Sequence, residues 1–211
     1  MVEQLKIDAK GKIKATMILA HGAGAPMDSE FMNLLCRALA TTGISTVRFE
    51  FPYMVRRREE GTRRPPDRQP VLLQQWRDIY SDIIKLKPKG SLLIGGKSMG
   101  GRMASMIAEE LQPDGFCCFG YPFYPPGKTN NDRIEHFHST TVPGLILQGT
   151  RDNFGKPEDI NAEGWPDNIN LVWLEEGDHD YKVRKKSGLT QAKLIDQAAS
   201  HVVVWLREMV N

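Results

Sequence analysis

Ser98 stands in Gly96-Lys97-Ser98-Met99-Gly100-Gly101, directly after the apolar run Ser91-Leu92-Leu93-Ile94 and directly before a helical pattern. A serine hydroxyl is a poor nucleophile until a base takes its proton, and that base needs a third group to hold its tautomer. The pattern G-x-S-x-G is weak alone and strong between a buried strand and a helix. There a sharp turn lifts the hydroxyl above a sheet, glycines without Cβ let backbones close in, and the helix aims its first amides at a developing oxyanion. A phosphate-cradling loop is the rival reading. It fails because the lysine precedes the serine and the upstream glycine spacing is wrong.

Two further groups of the right types follow in chain order. The run Gly144–Leu147 leads into Gln148-Gly149-Thr150-Arg151-Asp152, and Ile169–Leu174 leads into Glu175-Glu176-Gly177-Asp178-His179. Each places its polar residue just past the end of a predicted strand, in the order serine, acid, histidine. Taken singly, Asp152 has an ordinary use as a turn or helix cap, and His179 as a surface histidine. Together with the serine turn they predict Ser98 as nucleophile, Asp152 as orienting acid and His179 as general base. Asp178 and Asp180 rank lower, because a residue adjacent to a histidine turns its carboxylate onto that imidazole only with difficulty. His136 and His138 precede a strand and His201 lies in the last helix, so none has a strand-end context.

The strand Thr16–Ala20 ends in His21-Gly22-Ala23-Gly24-Ala25. This turn is expected to offer an oxyanion donor, the amide of Ala23 first and Gly24 close behind, with the amide of Met99 as the second donor. His21 reads as a structural residue beneath the turn.

The elements that must position these residues alternate. A hairpin is expected from Leu5-Lys6-Ile7 through Lys10-Gly11-Lys12 into the strand Thr16–Ala20. Asp28 or Ser29 caps a helix bearing Phe31, Leu35, Ala38 and Leu39, ended by Gly43. The strand Ile44–Phe49 and a long polar loop come next. Pro70 opens a helix with Leu72, Trp76, Ile79, Ile83 and Leu86 on one face. A helix over 100–111, the strand Phe116–Phe119 and a closing helix with Ile195, Ala198, Val202, Trp205 and Met209 complete the pattern. Strand–helix alternation predicts a doubly wound, mostly parallel α/β sheet with helices on both faces, over one domain spanning 1–211. Such sheets carry their sites at the carboxyl ends of the strands.

Composition narrows the class. With 28 Lys and Arg against 26 Asp and Glu, the net charge of +2 argues against a nucleic-acid partner. No apolar run is long enough to cross a membrane, and the amino terminus has no apolar core for a signal peptide. Three cysteines, Cys36, Cys117 and Cys118, read as free thiols in a reducing compartment, from which a cytoplasmic location is expected. No metal or cofactor motif is present. Charge is concentrated in one place: residues 56–68 hold six arginines against three acids. The ordinary reading is a solvated loop. The functional one is an anion-facing rim beside the site, with Arg63 and Arg64, held by Pro65-Pro66, as substrate-binding residues.

At these residues the chain resembles the α/β-hydrolase superfamily over nearly its whole length. The motifs His21-Gly22-Ala23-Gly24, Phe51-Pro52-Tyr53, Gly95-Gly96-Lys97-Ser98-Met99-Gly100-Gly101-Arg102 and Gln148-Gly149-Thr150-Arg151-Asp152 are more specific. They are similar to a little-characterised family that includes a testis-expressed protein and a subunit of the non-specific-lethal histone acetyltransferase complex. Dienelactone-hydrolase-like enzymes are a more distant parallel. The resemblance implies the fold and a Ser-His-Asp triad but no substrate. Residues 120–142 leave no room for a large helical cap, so an open site is expected. The reading is a cofactor-free serine hydrolase of a small acyl ester or thioester, with an anionic substrate favoured by the arginines. The alternative is a noncatalytic interaction domain on the same fold.

Overall fold

β2 (Ala15–Ala20) and the first part of β4 (Ser91–Lys97) are largely apolar, as strands covered on both faces tend to be, and β3 (Ile44–Phe49) is buried throughout although it carries Ser45, Thr46 and Arg48. With β1 (Gln4–Ile7), β5 (Gly115–Phe119), β6 (Gly144–Gly149) and β7 (Ile169–Leu174) they form a seven-stranded sheet in the order β1-β3-β2-β4-β5-β6-β7. Every neighbouring pair is parallel except β1 with β3. The computed structural model describes residues 4–125, 133–160 and 164–210.

Side chains alternate along each strand and feed two cores. Ile18, Ala20 and Ile94 face one layer with Trp76, Ile79 and Ile83 of α3 (Gln69–Lys85) and Met103 and Ile107 of α4 (Met99–Leu111). Met17, Leu19 and Leu93 face the other, with Leu35 and Leu39 of α1 (Glu30–Thr41) and Ile195, Ala198 and Val202 of α5 (Gln191–Val210). Each Leu, Ile, Val or Met among them contributes about 1.5–3 kcal/mol by burial. The chain winds outward in opposite directions from β2 and β4, so the sheet's switch point lies between them. Crevices form there, past the carboxyl ends of the strands.

Three expectations are corrected. β1 makes no hairpin with β2; it pairs antiparallel with the outer edge of β3, Gln4 opposite Phe49. Both edges of β2 are already taken by β3 and β4, so the first segment finds only the free edge of β3. The polar stretch after β3 is not all loop. Pro52 opens α2 (Pro52–Glu60) and Gly61, left-handed at φ 67°, ends it. Its periodicity is illegible because only Tyr53 and Met54 are buried. Leu86 does not share the α3 face; it caps the helix and is exposed.

Candidate active site

The turn between β4 and α4 sets Ser98 at φ 52°, ψ −119°, a conformation costing about 1–3 kcal/mol that the surroundings must hold. They do so by close approach. A Cβ on Gly96 would meet Ala20 O at 2.5 Å, and one on Gly100 would meet His21 O at 2.5 Å. The Ser98 amide donates to Phe119 O (3.0 Å), and the Arg102 amide donates to Ser98 O (3.0 Å).

His179 comes from the loop after β7. Tyr181, fully buried, pins that loop by donating its hydroxyl to Leu147 O at 2.7 Å. His179 Nε2 lies 2.9 Å from Ser98 Oγ, and Nδ1 lies 2.7 Å from Asp152 Oδ2. A carboxylate only accepts, so Nδ1 carries the proton and Nε2 turns its lone pair toward the serine. Asp152, fully buried in the loop after β6, accepts also from Gln148 Nε2 (2.9 Å) and the Phe154 amide (2.8 Å). Gln148 in turn accepts the Tyr121 amide at 2.6 Å. The other acids are occupied elsewhere: Asp178 accepts the amides of Asp180 and Lys182 within its own turn, and Asp180 faces Lys97.

The turn after β2 is held from beneath. His21 is fully buried; Nδ1–H donates to Gly22 O (2.7 Å) and Nε2 accepts the Phe51 amide (3.1 Å). An accepting Nε2 requires the neutral ring, and burial lowers its pKa accordingly. Tyr53, from the first turn of α2, donates its hydroxyl to Ala23 O at 3.0 Å. Among the described residues the amides of Ala23, Gly24 and Met99 donate to no acceptor. Tyr53 and Gln148 went unassigned in the sequence reading, though both lie in motifs it quotes.

A cleft of about 330 Å³ opens over Ser98, walled by Ala23, Gly24, Phe31, Lys97, Phe154 and His179. A larger hollow of about 720 Å³ sits at the opposite end of the sheet, between Lys14 and Arg207; its one serine, Ser91, has no histidine or carboxylate beside it in the lining. Arg63 and Arg64 are exposed and lie outside the Ser98 cleft, and Arg64 is paired with Glu60. Arg56, Arg57 and Arg58 belong to α2, where Arg58 bridges the buried Glu50 at 2.7 Å. The cation that does line the cleft is Lys97, one residue before the serine. Among the described residues no group of three or more His, Cys, Asp or Glu side chains is arranged to hold a metal ion, and no helix is long and apolar enough to cross a membrane.

A parallel sheet that presents a strained serine turn at its switch point, with no large cap over it, is the α/β-hydrolase fold. The chain belongs to the family described as alpha/beta hydrolase domain, whose model matches residues 13–207. It is similar in structure to an alpha-beta serine hydrolase homologue from Coxiella burnetii, with TM-score 0.72 and 18% identity over 98% of this chain and 91% of that one. An a/b serine hydrolase without lid from Xanthomonas campestris matches at TM-score 0.70 and 18% identity, over 96% and 88%. Est1E from Butyrivibrio proteoclasticus matches at TM-score 0.70 and 12% identity, over 97% and 94%. At these identities the likeness concerns the fold.

Proposed function

We propose that this protein hydrolyses small carboxylic esters or thioesters through a Ser98–His179–Asp152 triad. The observation that carries the reading is the polarity of the two bonds on His179: a carboxylate on Nδ1 leaves Nε2 as the acceptor facing Ser98 Oγ. Ser98 Oγ attacks the acyl carbon as its proton passes to Nε2. The carbonyl oxygen gains the negative charge and rests against the amides of Met99 and of Ala23 or Gly24, which have no other acceptor among the described residues. The imidazolium then gives its proton to the leaving alkoxide or thiolate, and the acyl-enzyme remains. Water then adds its oxygen to the acyl carbon as its proton passes to His179; the bond from the acyl carbon to Ser98 Oγ breaks, Oγ takes the proton back from Nε2, and the acid leaves. No cofactor is required.

The motifs at residues 21–24, 51–53, 95–102 and 148–152 support kinship with the family that includes a testis-expressed protein and a subunit of the non-specific-lethal complex. The buried, unbridged thiols of Cys36, Cys117 and Cys118 favour a reducing compartment such as the cytoplasm. The test is covalent labelling with a fluorophosphonate. Wild type is expected to be labelled at Ser98 and to turn over short-chain esters, and Ser98→Ala to do neither. Folded wild-type protein that stays unlabelled would sink the proposal and return the chain to a binding role.

A further inference from the structure

Lys97 is a charged side chain where the neighbouring strand positions carry apolar ones. Its side chain is 8% exposed. Its stem runs beneath the turn after β2, where a Cβ on Gly22 would meet Lys97 Cγ at 3.5 Å, and its ammonium lies 5.4 Å from the centre of the Phe31 ring. Among the described residues its one carboxylate contact is Asp180 Oδ1 at 3.5 Å, longer than a charge-assisted hydrogen bond. Arg58, Arg77 and Arg184 each hold a carboxylate much closer. A buried ammonium without a close partner is costly, and an apolar residue of the same length would be cheaper. The ammonium is therefore under-compensated in a cleft that opens over Ser98.

We propose that Lys97 is a specificity-determining residue whose ammonium pairs with a carboxylate carried by the ester substrate; this rests on the hydrolase reading above. Half-exposed Asp180 is the group the substrate carboxylate would displace. The charge balance of the reaction points the same way. Lys97 Nζ and His179 Nδ1 lie 3.2 Å and 3.4 Å from one point, the position a Cβ on Gly120 would take. The imidazolium that forms during attack is paired with Asp152, and Lys97 is a second cation close to it, so an anion bound at Lys97 reduces the repulsion between the two. Burial lowers the lysine pKa to about 8, against the opposing pull of Asp180, Asp152 and Asp178. The other groups packed around it are the Phe31 ring from α1, the main chain of the 22–25 turn, and His179.

The experiment measures kcat/KM for three aryl esters: a neutral butyrate, a hemiglutarate with its carboxylate on the acyl side, and a butyrate whose leaving group is a carboxyphenol. The readout is the anionic-to-neutral ratio, in which any effect common to both esters cancels. Lys97→Met is expected to lower that ratio at least about tenfold for one of the two anionic esters, which tells the acyl side from the leaving side. Asp180→Asn is expected to raise the same ratio. In wild type the ratio should fall between pH 7 and pH 9 as the ammonium deprotonates, and this arm decides the matter if Lys97→Met does not fold. A neutral ester turned over through Ser98, with ratios insensitive to Lys97→Met and to pH, overturns the Lys97 proposal alone. No turnover of any ester together with unlabelled Ser98 overturns the hydrolase reading and this inference with it.

Discussion

Two serine–histidine pairs in this molecule have the same separation and opposite polarity. Ser98 Oγ and His179 Nε2 are 2.9 Å apart, and so are Ser105 Oγ and His136 Nε2. Behind His179 stands Asp152; behind His136 no carboxylate stands among the described residues, and the nearby charge is Arg102. Ser105, inside α4, spends its single proton on Arg102 O at 2.9 Å. His136 Nε2 must then be the donor, and its serine is an acceptor held on a regular helix. Burial and Arg102 push His136 down to about 4, so the ring stays neutral. The contact distance is the same in both places. The third group decides which partner gives up the proton, and the strained turn decides whether the oxygen is presented to a substrate.

Removing the third group should erase the difference. Asp152→Asn would let the amide donate to Nδ1, moving the imidazole proton to Nε2 and making His179 resemble His136. Turnover of short-chain esters is expected to fall by roughly 10⁴ with the fold intact. If circular dichroism showed a native fold and the rate fell less than tenfold, the comparison would be broken.

A smaller effect is expected where the turn after β2, the proposed oxyanion donor, is held. Tyr53→Phe deletes the bond to Ala23 O and leaves the ring packed against Phe51. One hydrogen bond of about 1 kcal/mol sets the scale. We expect kcat for a neutral ester to drop roughly fivefold to tenfold with KM nearly unchanged. A rise in KM alone would place Tyr53 in substrate binding instead.

The second pair should matter to stability and not to rate. His136 titrates at 6.5 in the unfolded chain and at about 4 in the folded one. Below pH 6.5 the unfolded state binds the proton that the folded state refuses, so stability is lost as pH falls from 6.5 toward 4. His136→Gln removes that contribution and keeps the one from His21, which is buried with the same sign of shift. Thermal melts should show the variant gaining on wild type by several degrees across this window, with ester turnover at pH 7 within about twofold. A loss of turnover matching that of Asp152→Asn would mean the two pairs are coupled.

The smallest change is expected from Arg63→Ala/Arg64→Ala. The two side chains are exposed, outside the cleft, and one is paired with Glu60. They act on an anionic ester through screened, long-range attraction. The double variant should lower its kcat/KM by less than about threefold, and raised salt should remove even that. A larger, salt-resistant loss would show that the arginines reach the substrate directly.

Legibility in the sequence followed locality. The elbow was readable because Gly96 and Gly100 sit at positions where a Cβ would strike the backbone of β2. Asp152 and His179 were readable because apolar runs mark strand ends and chain order does the rest. The second turn of α2 was hidden because Arg56 to Glu60 have no apolar face; Tyr53 and Met54, in its first turn, carry the burial. Lys97 was hidden in plain view, as an unspecified position within a motif, because a lysine in sequence looks solvated.

The sequence by itself determined the strands, most of the helices, the strand ends and the order in which three polar residues leave them, since these depend on side-chain period and on residues adjacent in the chain. Only the tertiary structure decided the partner of β1, which depended on which sheet edge was free. It alone set the proton direction in each serine–histidine pair, through groups far apart in sequence. It also placed Lys97 in the cleft and Arg63 and Arg64 outside it. Whether a charge is solvated or walled in is a property of packing, and packing joins segments that no local pattern relates.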